Sequence, residues 1–211
     1  MLDVHPPHHA AHGWRDFLIH IATIVVGLLI AIGLEQSVEW LHHKHLVREA
    51  RENIHVEIEN NHEAAQKDLV YLQKNIDRIR DNIKTVHELM KRPKNFHGGL
   101  INQMEFSDLS ASAWRSARDT GALGYMPYDE VQRIADIYSQ QDAVSTQTTA
   151  AFRQEFLAMA PVEMGYDIDT LPDVEYQNLL RENAATLIEL VTLKQLVQQV
   201  DDQYEKELKR N

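Results

Sequence analysis

From Phe17 to Leu34 the chain runs through 18 residues whose only strongly polar member is His20. As a helix this stretch spans roughly 27 Å at 1.5 Å per residue, close to the ~30 Å hydrocarbon core of a bilayer. A helix buried in a soluble core would show a polar stripe, and none is present. Trp14 and Trp40 bracket the run as interfacial aromatics do, and Glu35 marks its far edge. The competing reading is a cleaved export signal: Arg15 would be a minimal basic start and Ala31-Ile32-Gly33 offers small residues at a peptidase spacing. The apolar run is longer than a usual signal core and helix-favouring residues continue past the supposed cut, so the pattern predicts a retained transmembrane helix over 17–34.

Beyond the anchor the pattern stays helical. Ile54, Ile58, Asn61, Ala65, Leu69, Leu72, Ile76, Ile79, Ile83, Val86 and Met90 follow one another at steps of three and four. This is a heptad seam with one extra four-residue step, a stutter that would locally unwind a supercoil. Asn61 is a polar member of the seam, either a register-setting residue or a tolerated defect. No proline intervenes between Pro7 and Pro93, so one rod can leave the membrane and run to about residue 90. The segment "KRPKNFHGG" (91–99) ends it as a solvated turn.

Three further helices follow. One is expected over about 107–120, stopped by Gly121. The next covers about 127–160, with Pro127 in its first turn, Asp129 and Glu130 favouring its dipole, and an apolar stripe that includes Val131, Ile134, Tyr138, Val144 and Phe156. "PVEMGYDIDTLPD" (161–173) reads as a loop, and the last helix covers about 173–209 with Tyr176, Leu180, Leu187, Leu190, Val191, Val197, Tyr204 and Leu208. The predicted fold is all-α: an N-terminal transmembrane helix continuing into a long helical, coiled-coil-like rod, packed as an antiparallel helical bundle. The expected divisions are a His-rich polar tail (1–16), the transmembrane helix (17–34), the rod (35–92) and a helical domain packing back on the rod (93–211).

Charge and composition narrow the function. The net charge is −11, of which residues 1–35 contribute −2 and the rest −9. Such an acidic body repels phosphate backbones, so no nucleic-acid partner is expected. The absence of cysteine removes disulfides, thiolate nucleophiles and cysteine metal sites. Twelve histidines raise a metal hypothesis, with four at His5, His8, His9 and His12 and three at His42, His43 and His45. An anchor at 17–34 would put these clusters on opposite sides of a membrane, and neither alone carries a carboxylate or thiolate to complete a shell. No metal and no cofactor are predicted. "DIDTLPD" departs from a calcium loop at its fifth, sixth and twelfth positions. No phosphate loop, nucleophile elbow or dinucleotide fingerprint occurs. The many carboxylates are read as solvated helix faces, and no catalytic residue is expected; the protein is read as not an enzyme.

Two groups of residues remain. Thr23, Gly27 and Ala31 recur every four residues as a small-residue face on which two anchors could pack as a homodimer. Trp114, Arg115, Arg118 and Tyr138 concentrate aromatic and basic side chains around a helix–loop–helix turn. There a small anionic ligand could be clasped by the arginines against the Trp114 ring. The bland reading makes Trp114 a core anchor and pairs the arginines with Asp119 or Asp108.

The anchor "TIVVGLLIAIGLEQ" and the unit "SASAWRSARDTGALGYMPYDEVQRIADIY" together resemble a group of uncharacterised bacterial single-pass membrane proteins. Members pair an N-terminal apolar helix of the form I-x-x-V-x-G-x-L-I-A with a helical domain. That domain carries an aromatic residue, a glycine after Ser or Thr, and a helix ending in Tyr. Here these fall on Trp114, Thr120-Gly121 and Tyr138. The resemblance covers about a quarter of the chain and implies a location and an architecture, not an activity. The expectation is a membrane-anchored scaffold or interaction protein of the bacterial inner membrane, with the bilayer and an unknown protein as partners. The alternative is a tethered sensor of a small anion near Arg115 and Arg118. Lys44, Arg48 and Arg51 outnumber Arg15 near the anchor, which favours a cytoplasmic domain. Arg15 and the N-terminal amine lie nearer its edge, and the reading taken is a periplasmic domain.

Overall fold

The computed structural model describes residues 13–93, 96, 98–101 and 103–210. The His5–His12 cluster lies outside the described residues. Four α-helices and one 3-10 turn make up the regular structure, with no strand among the described residues: α1 (Gly13–Leu89), α2 (Ser112–Asp119), the 3-10 turn (Ala122–Tyr125), α3 (Tyr128–Glu163) and α4 (Asp173–Leu208). The chain divides into two compact units, Met1–Glu49 and Ala50–Asn211.

In the first unit the apolar stretch of α1 is long and apolar enough to cross a membrane, and none of it is buried by protein. Its polar side chains are satisfied within the helix. The Thr23 hydroxyl donates to the Ile19 carbonyl (2.8 Å), Ser37 to Gly33 (2.7 Å), and the His20 ring lies 2.8 Å from the Asp16 carbonyl. Such back-bonding to the preceding turn is what a hydrocarbon solvent demands, since it offers no partner of its own. Beyond the run, the Lys44 ammonium sits 5.0 Å over the Trp40 ring.

The second unit is a bundle of the C-terminal half of α1 with α3 and α4. Cross-helix bonds give the directions. Gln147 reaches Glu189 and Gln154 reaches Glu182, so α3 and α4 are antiparallel. His62 meets Asp201 and Lys194 meets Gln73, so α4 is also antiparallel to α1. Arg51–Glu130 and Arg78–Glu155 then make α1 and α3 parallel. Parallel neighbours need a long return connection, and the chain supplies it with an extended strap, residues 101 and 103–111.

The helix limits follow local chemistry with two exceptions. Gly121, in the left-handed region at φ 77°, ends α2 as predicted. Pro161 does not end α3: the helix continues to Glu163 and stops at Gly165 (φ 79°). There the Tyr166 N–H bonds back to the Pro161 carbonyl and the Gly165 N–H to Val162. This paired closure needs a left-handed glycine, and a proline in the last turn costs only one internal donor. The second exception is α2, which begins at Ser112 and not near 107, for reasons given below.

The buried stripes also differ from an apolar-only reading. On α1 the buried positions are Val47, Ala50, Ile54, Glu57, Ile58, Asn61, Ala65, Asp68, Leu72, Asn75, Ile76, Ile79, Asn82, Val86 and Leu89. From Ile54 on, the set without Glu57 and Ile76 steps by four and three without interruption, so a seam free of the stutter runs to Leu89, and Glu57 and Ile76 widen it. Leu69, Ile83 and Met90 are only half-buried. On α4 the seam includes Asn183 and Thr186, while Val191 is exposed; on α3 it includes Gln141 and Glu155, while Phe156 is exposed. At one end of the bundle Val86, Leu89, Leu171, Tyr176 and Leu179 form a buried hydrophobic cluster.

Candidate functional site

Asn61, Asp68, Asn75 and Asn82 stand seven residues apart on α1 and all are buried. Each bonds the strap. Asn82 exchanges two bonds with the backbone of Ile101, donating to its carbonyl and accepting its N–H (both 3.0 Å). Asn75 donates to the Glu105 carbonyl (3.3 Å), and Asp68 accepts the Ser107 N–H (2.8 Å). Asn61 exchanges two bonds with Ser110 (2.7 and 2.9 Å). These side chains, three amides and one carboxyl, act as a β-ladder would, satisfying an extended backbone that lies against a helix. The spacing has a geometric cause. Seven helical residues rise about 10.5 Å, and three extended residues about 10 Å. A polar residue every heptad therefore stays in step with an antiparallel strap.

At its end the strap turns into α2 on a single carboxylate. Glu57 Oε2 accepts bonds from Ser110 Oγ (2.7 Å), Ser112 Oγ (2.8 Å) and the Ala113 N–H (2.9 Å). Its Oε1 accepts from the Trp114 N–H (3.3 Å) and from Tyr138 Oη (2.7 Å). The cap that a helix N-terminus usually takes from its own flanking residue comes here from another helix. This is why α2 starts at 112: peptide groups of 107 and 110 are held by α1, and that of 109 by Gln141, which donates to the Leu109 and Ser110 carbonyls. Gln141 in turn accepts from Tyr204 Oη (2.8 Å), so α1, the strap, α3 and α4 meet in one hydrogen-bonded node.

The electrostatics agree with this geometry. Burial raises the Glu57 pKa, but the Ala113 N–H and the hydroxyls of Tyr138, Ser110 and Ser112 outweigh it and hold the carboxyl below its ordinary 4.5. A carboxylate so loaded with donors is a poor general base. Burial, reinforced by the Glu57 charge, pushes the Tyr138 and Tyr204 phenols well above their ordinary range, so both stay neutral. Asp68 is the opposite case. It has no exposed surface, its Oδ2 has no partner, and burial raises its pKa above 3.8 against the bonds from Ser107. Its contribution to stability is therefore present at low pH and lost as the pH rises through the folded pKa. Asp68→Asn is expected to raise the melting temperature at pH 7 by about 3 °C, roughly 1 kcal/mol. It should also lose stability on acidification more steeply than the parent, which gains from protonation of Asp68 at low pH. A melting temperature that falls in the variant would contradict this.

Among the residues singled out in the sequence, Trp114 and Tyr138 come together, their rings stacked at 5.3 Å and 10°. The two arginines have other contacts. Arg115 donates to the carbonyl of Ala111, the residue before its helix (3.1 Å), and Arg118 pairs with Asp119 (3.0 Å). Arg115 lines a cleft of about 170 Å³ with Asp108, Asp142 and Ser145. Thr23, Gly27 and Ala31 lie exposed on α1. His43 and His45 face Glu39 and Glu49 of their own helix, and no group of His, Asp and Glu fit to hold a metal occurs among the described residues. Contrary to the solvated reading of the carboxylates, Glu57, Asp68, Glu155 and Asp201 are buried, each against a specific partner. The heptad spacing of Asn61, Asp68, Asn75 and Asn82 was visible in the sequence, but a search for apolar periodicity passes over it.

No family model, curated protein or solved structure matches the chain.

Proposed function

We propose that the chain is a single-pass protein of a bacterial inner membrane whose helical domain works as a scaffold through contacts with another protein. The observation that carries the protein-contact reading is a cluster of large exposed apolar side chains on the last turns of α3. Phe156 is 64% exposed and Leu157 49%, with Met164 at 69% and Tyr166 at 56% just beyond the helix end. At 100° per residue, Phe156, Leu157, Ala160, Pro161 and Met164 fall within an arc of about 140°. A shallow cleft of about 260 Å³ adjoins them, bounded by Glu175, Asn178 and Arg181 of α4. Apolar surface concentrated in this way and rimmed by polar groups marks an interaction site.

The membrane part of the reading is supported by the unburied apolar run of α1, and the bacterial origin by the family resemblance. The periplasmic side rests on Arg15 adjoining the run. Pairing of two anchors through Thr23, Gly27 and Ala31 belongs to the same proposal, since Thr23 already spends its hydroxyl on its own helix and leaves a smooth face. The anion-sensor alternative has less support, because Arg118 is paired and the cleft beside Arg115 also holds Asp108 and Asp142.

A photo-crosslinking residue placed at Leu157 of the full chain, in native membranes, is expected to give a discrete heavier adduct. The same residue at the exposed Lys84 should give none, and Met164→Asp should abolish the Leu157 adduct. Identical products from both positions, or none from either, would overturn the scaffold reading.

A further inference from the structure

A second cleft, of about 190 Å³, opens between α1 and the strap, lined by Tyr71, Lys74, Asn75 and Arg78 on one side and Gln103 and Glu105 on the other. Its two walls carry opposite charge. Lys74 and Arg78 are one helical turn apart and so share a flank of α1. The Lys74 ammonium stands 5.5 Å over the Tyr71 ring, and among the described residues no carboxylate pairs with it. Arg78 is only 11% exposed; its Nη1 donates to the Ile101 carbonyl and its Nη2 to Glu155, while its Nε is buried and without a partner. Across the cleft, Glu105 is exposed and its carboxylate has one long contact, 3.5 Å from Gln103 Nε2. Its backbone is held in place by Asn75.

The charges select the ligand. Glu155 already neutralises Arg78, which leaves Lys74 on one wall and Glu105 on the other, so a simple anion or cation would leave one wall unbalanced. A molecule with both charges a few bonds apart satisfies both walls. The volume lies below the usual range for drug-sized ligands, which restricts the guest to a few heavy atoms. We propose that this cleft binds a small zwitterion of the α-amino acid type, its carboxylate toward Lys74 and its ammonium toward Glu105. The ligand would tie the strap to α1 in the middle of the asparagine ladder. The site is independent of the apolar cluster on α3, so either proposal can fail alone.

The test uses the full chain in detergent micelles, with thermal unfolding and titration calorimetry against the proteinogenic L-amino acids one at a time. Acetate and methylamine serve as half-ligands. At least one amino acid is expected to raise the melting temperature by about 4 °C at about ten times its Kd, with each half-ligand shifting it by under about 1 °C. Lys74→Gln and Glu105→Gln, both at exposed side chains, should keep the unliganded melting temperature and each weaken binding about ten-fold. The proposal is overturned if no amino acid shifts or titrates at millimolar concentration. It is equally overturned if both variants bind as tightly as the parent, or if acetate alone reproduces the effect.

Discussion

Replacing Glu57 with alanine lowers the melting temperature of the full chain in detergent by about 10 °C. The carboxylate accepts bonds from five donors: the N–H groups of Ala113 and Trp114 and the hydroxyls of Ser110, Ser112 and Tyr138. Truncation leaves two backbone donors at the start of α2 and a buried phenol without a partner. Each unsatisfied buried group costs about 1–3 kcal/mol, and near 3–4 kcal/mol in total corresponds to about 10 °C for a chain of this size. Glu57→Gln keeps one acceptor oxygen and should fall between the two. The pH dependence has a definite sign. The folded pKa of Glu57 lies below its ordinary value. Its contribution is therefore complete above the unfolded pKa and lost as the pH falls through the folded one. The parent should lose stability on acidification more steeply than Glu57→Ala. A variant within about 2 °C of the parent would mean the carboxylate is not the cap of α2.

The second large effect concerns the anchor. Two arginines placed mid-run, as Val26→Arg with Leu29→Arg, add about 5–7 kcal/mol to the cost of residing in hydrocarbon on an insertion scale. The parent is expected in the pellet after carbonate extraction of membranes, and the double variant in the supernatant or as a degraded product. The bundle is the built-in control, because the substituted positions are exposed and contribute nothing to its core. Equal carbonate resistance of the two proteins would show that the apolar run does not hold the chain in lipid.

The sequence by itself determined the helical class, the apolar run and most helix limits. These depend on contacts within a few residues. An apolar run needs no partner to be apolar, Pro127 stands as the N-cap just before α3, and Gly121 is free to take a positive φ. The expected end of the rod near residue 90 agrees with α1 closing at Leu89 for the same reason. Apolar periodicity, however, could not find the true seams. Asn61, Asp68, Asn75, Asn82, Gln141, Asn183 and Thr186 occupy buried positions that a search for hydrophobic residues skips, and skipping them produced a stutter on α1 that does not exist.

Only the tertiary structure decided what those polar residues are for. A buried amide is costly until a distant backbone group satisfies it, and nothing near Asn61 in the sequence shows that Ser110 lies opposite. The strap stays extended because α1 supplies its partners, so local propensity, which favours helix from Ser107, is overridden. Glu57 caps α2 from more than fifty residues away, beyond the reach of any capping pattern read along the chain. Trp114 and Tyr138 were both legible as noteworthy aromatics, but their stacking depends on that cap. The arginines between them were drawn instead to partners one and four residues away. Short-range chemistry could be read from residue order; the polar interior around the strap could not, because its bonds join groups that only folding makes neighbours.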